Sequence, residues 1–152
     1  MVKEKKIECL LWSIAFPGFG QILNGHLLKG VLFLALELII NSKSNLNTSI
    51  YNSFLGKIDQ AVAQTNYQWL MFYPCIYTFA AWDAYRFADD KNASFSFLPF
   101  VISAYLGTLG VIYSPVFRFM GVLLGPVFLP ILSLSLGVFI GSIIRSALLH
   151  LH

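Results

Sequence analysis

A chain of 152 residues that is 57% hydrophobic, 11% charged and +3 in formal charge lacks the polar residues to clothe a soluble core, since ordinary domains carry about a quarter charged residues. Its mean hydropathy of +0.72 agrees. The expectation is an all-α integral membrane protein; most soluble enzymes and disordered chains are excluded, and so are nucleic-acid binders, because the Lys and Arg are scattered without a basic stripe.

The amino terminus is basic at Lys3, Lys5 and Lys6, and an apolar stretch from Ile7 to Phe16 follows. Glu8 interrupts that stretch and no small-x-small cleavage site precedes Pro17, so it reads as a retained signal anchor. The apolar block 7–40 is too long for one span and too short for two, at about 20 residues per crossing. Its break at Pro17-Gly18-Phe19-Gly20 divides it into a short re-entrant or interfacial helix at 7–16 and a span at 21–40. The helical spacing of Ile50, Tyr51, Phe54, Leu55, Ile58, Ala61 and Val62 predicts an amphipathic helix over 48–64, capped by Asn47 or Thr48.

A second span covers 67–85, with aromatic residues at both ends and Pro74 as a kink. A hydrophilic loop at Asp89, Asp90, Lys91 and Asn92 leads to a third span at 96–114. A fourth block, 119–144, is interrupted by Gly125-Pro126 and Pro130, and reads as one kinked span or as two half-helices. The organisation is then a module over 1–92 and a carboxy-terminal helical hairpin over 93–152, packed as one bundle. Cys9 and Cys75 lie in separate apolar stretches and read as buried thiols rather than as a disulfide. Lys3, Lys5, Lys6, Lys29, Arg86, Lys91 and Arg145 fall on one side of this arrangement, against Lys43, Lys57 and Arg118 on the other. The positive-inside rule therefore puts both termini in the cytoplasm, the carboxy terminus with the weaker claim, and the amphipathic helix outside.

Two motifs carry the most information. One is Pro17-Gly18-Phe19-Gly20-Gln21 followed by Asn24-Gly25 and Lys29-Gly30; the other is Trp82-Asp83-Ala84-Tyr85-Arg86 with Ala88 beyond. Together they resemble small bacterial membrane modules related to the TM2-domain proteins, over about residues 7–90. The resemblance implies a first helix packed on a hairpin of spans in a bacterial plasma membrane, and implies no established activity. The long loop at 41–66 and everything after 95 lie outside it. In physical terms, Asp83 is placed to accept hydrogen bonds from the Gly18–Gln21 backbone and to pair with Arg86. Gly18, Gly20, Gln21, Lys29, Asp83 and Arg86 thus form a structural cluster that also suits a lipid headgroup or a peptide.

Glu37 is an ionisable group inside a span and by default a candidate for proton or ion handling, with Asn41 as a possible partner and His26 too far along the helix for a relay. Gly121-xxx-Gly125 and Ser133-xxx-Gly137-xxx-Gly141 are small-residue faces suited to close helix packing, within the chain or with a partner. No nucleophile, phosphate-binding or dinucleotide motif is present, and no metal-ligand spacing, so neither enzyme nor cofactor nor metal is expected. The leading expectation is a multi-pass plasma-membrane protein acting as accessory subunit, assembly factor or scaffold. Its partners would be the lipid bilayer and another membrane protein or a second copy, engaged through the apolar face of Phe54 and Ile58. The alternative is a small oligomeric transporter or channel built on Glu37 and the broken helices.

Overall fold

In a computed structural model, which describes residues 2–89 and 94–151, the chain is all-α. The expected loop residues Asp90, Lys91 and Asn92, the division at 92/93 and the terminal His152 lie outside the described residues. Helix α1 (Val2–Ala15) ends at the Pro17-Gly18 turn, where Gly18 takes φ +109°, and the short α2 (Phe19–Leu23) turns back. Helix α3 (Leu27–Ser44) then runs antiparallel to α7 (Tyr73–Phe87), as successive pairings show: Lys29 meets Asp83, Phe33 meets Phe79, and Glu37 meets Tyr73. Helix α1 also descends along α7, from Lys6 beside Asp89 to Ile14 beside Tyr77, and goes no further. The α1–α2 hairpin therefore enters about halfway along the α3/α7 pair and returns.

The expected amphipathic helix is two helices, α4 (Leu46–Phe54) and α5 (Ile58–Gln64), separated at Gly56 with φ +74°. They close on each other through polar atoms: the Ser49 and Thr65 hydroxyls lie 2.6 Å apart, and Asn52 Nδ2 donates to Gln64 Oε1 at 3.0 Å. The cap is Asn45, in the left-handed region, rather than Asn47 or Thr48. The expected span 67–85 is likewise divided, into α6 (Tyr67–Leu70) and α7, because Pro74 sits in the first turn of a new helix, where its missing N–H costs nothing, instead of kinking a continuous one.

Helix α8 (Leu98–Tyr113) is followed by a small antiparallel hairpin, β1 (Arg118–Phe119) with β2 (Val122–Leu123), and by α9 (Gly125–Leu151). Gly121, expected on a helix face, instead makes this hairpin turn at φ +86°. Helix α9 is continuous over 27 residues with Pro130 inside it, so the two half-helices are withdrawn. Helices α8 and α9 are antiparallel and close: a Cβ on Gly137 would lie 2.7 Å from the Ser103 backbone nitrogen, one on Gly141 2.5 Å from Pro99 Cα, and one on Gly110 2.6 Å from Ser133 Oγ.

Four spans were expected, but among the described residues only α9 is long and apolar enough to cross a membrane by itself. Helix α8 is apolar but 16 residues long, α3 carries Lys29, Glu37 and Lys43, and α7 has 15 residues including Asp83 and Arg86. The distribution of polarity is unusual. Ser13, Gln21, Ser44, Ser49 and Ser114 are fully buried, whereas Leu28, Met120, Leu132 and Phe139 are among many large apolar side chains more than half exposed.

Candidate functional site

The polar seam between α2 and α7 brings the two sequence motifs together. Glycines make the approach possible: a Cβ on Gly30 would lie 2.8 Å from the Gly18 carbonyl oxygen, and one on Gly20 2.7 Å from Ala84 Cβ and inside contact distance of Ser13 and the Cys9 carbonyl. Helix α2 is thus wedged against α1, α3 and α7 at once. From it Gln21, fully buried, donates through Nε2 to the Ala80 carbonyl at 2.7 Å and to Asp83 Oδ2 at 3.2 Å. One turn on, Asn24 Nδ2 donates to the Ala84 carbonyl at 2.8 Å while its Oδ1 accepts the Cys9 thiol at 3.1 Å. A helical carbonyl has a second lone pair beyond its own ladder bond, and this seam uses it.

Lys29 Nζ completes the arrangement, 2.9 Å from Asp83 Oδ1 and 4.1 Å from the Phe87 ring centroid. Asp83 is therefore engaged at both oxygens by side chains, not by the Gly18–Gln21 backbone as expected. Arg86 does not pair with it. Three residues on, it shares instead the face of Trp82, its guanidinium carbon 5.1 Å from the Trp82 ring centroid and 5.8 Å from that of Phe87.

Glu37 is 6% exposed and accepts from Tyr73 Oη at 3.2 Å. Tyr73 stacks on Tyr77 at 5.5 Å, and Tyr77 Oη donates to the Ile14 carbonyl at 2.6 Å, near the end of α1. Neither tyrosine was expected to matter; both belong to the aromatic-rich stretch 67–85, and their four-residue spacing on the face that meets α3 was the available signal. His26 lies exposed, edge-on to Phe87, away from Glu37.

Of the expected interface residues, Phe54 remains 68% exposed and meets Phe128 edge-on at 5.4 Å, while Ile58 is half-buried over the start of α9, 2.7 Å from where a Gly125 Cβ would lie. Ser133, Gly137 and Gly141 are all turned toward α8 and spent on packing within the chain. Both cysteines are free. Among the described residues no cluster of His, Cys, Asp and Glu is placed to hold a metal ion. No family model, curated protein or solved structure matches the chain.

Proposed function

We propose that the chain is a multi-pass protein of a bacterial plasma membrane that works through other membrane proteins, as an accessory subunit, assembly factor or scaffold. The observation that carries this reading is the inversion of polarity: serines, Gln21 and Asp83 are buried while leucine and phenylalanine side chains face outward along α3, α8 and α9. In water such a surface would be an aggregation liability; in lipid it is the solvated surface. The antiparallel order of α3, α7, α8 and α9 supports crossings in alternate directions, with Lys5, Lys6, Lys29, Arg86 and Arg145 gathered at the cytoplasmic end. The meeting of Gln21 and Asn24 with α7 supports the kinship with TM2-domain modules, because the two motifs complete one seam.

The interaction surface is the outer side of α4, where Tyr51, Phe54 and Leu55 are exposed while Ser49, Asn52 and Ser53 turn inward. Isolation in mild detergent after crosslinking in native membranes tests the reading. A stoichiometric partner, lost in Phe54→Glu without loss of the protein itself, is expected; recovery of the wild type alone would sink it. A transporter reading keeps Glu37 as its support and loses the broken helix, since α9 is continuous.

A further inference from the structure

On the side of α7 away from the seam, Cys75, Phe79, Trp82 and Arg86 form one stripe at spacings of three and four residues. Across from it on α8 stand Phe97 and Val101, and between the helices runs a groove of about 460 Å³. Phe79, Phe97 and Val101 are 52%, 44% and 56% exposed, so the groove opens outward from the bundle. Its walls are apolar but for Thr78, whose hydroxyl donates to the Pro74 carbonyl, and Arg86 at one end.

That guanidinium lies against aromatic faces and has no hydrogen bond or ion pair among the described residues, while the nearest carboxylate on its helix, Asp83, is committed to Gln21 and Lys29. Stacking occupies the plane of an arginine and leaves the N–H fork at its edge, the geometry that matches a phosphate. The Trp82 ring lines the groove beside it. From Arg86 to Cys75 the stripe extends roughly 16 Å along the helix axis. One leaflet of a bilayer with a hydrocarbon core of about 30 Å has nearly that depth.

We propose that this groove binds one anionic phospholipid. Its phosphate sits on the Arg86 fork, and one acyl chain follows Trp82, Phe79 and Val101 toward Cys75. A partner helix would leave the cation at the end of the groove unanswered, whereas a lipid supplies both the charge and the chain. The inference rests on the reading that α7 and α8 face the bilayer.

The test uses the full chain in dodecylmaltoside, titrated with palmitoyl-oleoyl phosphatidylglycerol or the matching phosphatidylcholine and read by native mass spectrometry. One phosphatidylglycerol is expected to be retained in preference to phosphatidylcholine. Arg86→Gln should weaken that retention about tenfold, the worth of one charge-assisted bond. Trp82→Phe should weaken it less, and Val101→Trp should block it by filling the groove. Arg118→Gln, in the hairpin at the other end, should leave it unchanged, and Arg86→Lys, which keeps the charge, should retain part of it if the glutamine variant does not fold. Equal retention of both lipids overturns the site, as does indifference to Arg86, displacement by inorganic phosphate alone, or a protein crosslink at this face that Val101→Trp removes. Alkaline carbonate extraction of membranes reports separately on the premise. Release of the chain sinks the bilayer reading itself, whereas a chain that stays in the membrane without lipid preference sinks only the site.

Discussion

Gly20 leaves no room for a methyl group between Ser13, the Cys9 carbonyl and Ala84, and that lack of room is what brings Cys9, 1% exposed, against α7. With the chain in detergent, N-ethylmaleimide should reach the exposed Cys75 first and spare the buried Cys9 until the protein is denatured. Equal rates at the two cysteines in the folded protein would mean that α1 is not seated on α7. The turn and the close approaches at this site were legible, since Pro-Gly-x-Gly admits few other geometries. The partner of Asp83 was not: a backbone amide and a lysine eight residues beyond Gln21 satisfy a carboxylate equally well, and only the antiparallel pairing of α3 with α7 puts Lys29 within reach.

At the scale of elements, α8 and α9 depend on small residues for their closeness. Gly137→Leu would drive a side chain into the Ser103 backbone and the Ile102 carbonyl, neither of which can swing aside. A loss of at least 1–3 kcal/mol is expected, as for other overpacked sites, with a lowered unfolding temperature in detergent. Gly121→Ala meets nothing within 4 Å and should cost only about 1–2 kcal/mol for its left-handed backbone. An unchanged unfolding temperature in Gly137→Leu would show that α8 and α9 are not in close contact. The small-xxx-small pattern at Ser133, Gly137 and Gly141 was readable as a packing face; that its partner is α8 needed the fold. The break at Gly56 was hidden because Leu55 and Ile58 continue the helical register on either side of it. Periodicity also tells which residues share a face and says nothing about the medium that face meets, which is why the outward turn of Tyr51, Phe54 and Leu55 could not be read in advance.

For the whole molecule, the antiparallel order predicts which positions share a compartment. In a Cys9→Ala, Cys75→Ala background, single cysteines at Lys57 and Arg118 should react with an impermeant reagent added outside intact cells. Those at Lys5 and Arg145 should react only after permeabilisation. Labelling of position 145 together with 57 would break the proposed topology. An all-α chain was legible from the length and spacing of the apolar blocks. How many helices would pass for a span was harder to read, since Lys29 and Asp83, which pair, and Glu37, which takes Tyr73, dilute the apolarity of α3 and α7.

In the membrane topology proposed above, the α1–α2 hairpin also imposes an order on synthesis. Asn24 reaches the Ala84 carbonyl across 60 residues, and Gln21 reaches Asp83 across 62, so residues 1–24 leave the ribosome well before their acceptors exist. At about 5–20 residues per second the wait is several seconds. During it the amides of Gln21 and Asn24 have no partner that hydrocarbon could supply. The amino-terminal hairpin must therefore linger in the headgroup region while α3 inserts, and it can sink to depth only once α7 has arrived to receive it. A nascent chain arrested before residue 73 should remain accessible at its amino-terminal turn, and the first helix to be made would be among the last to take its place.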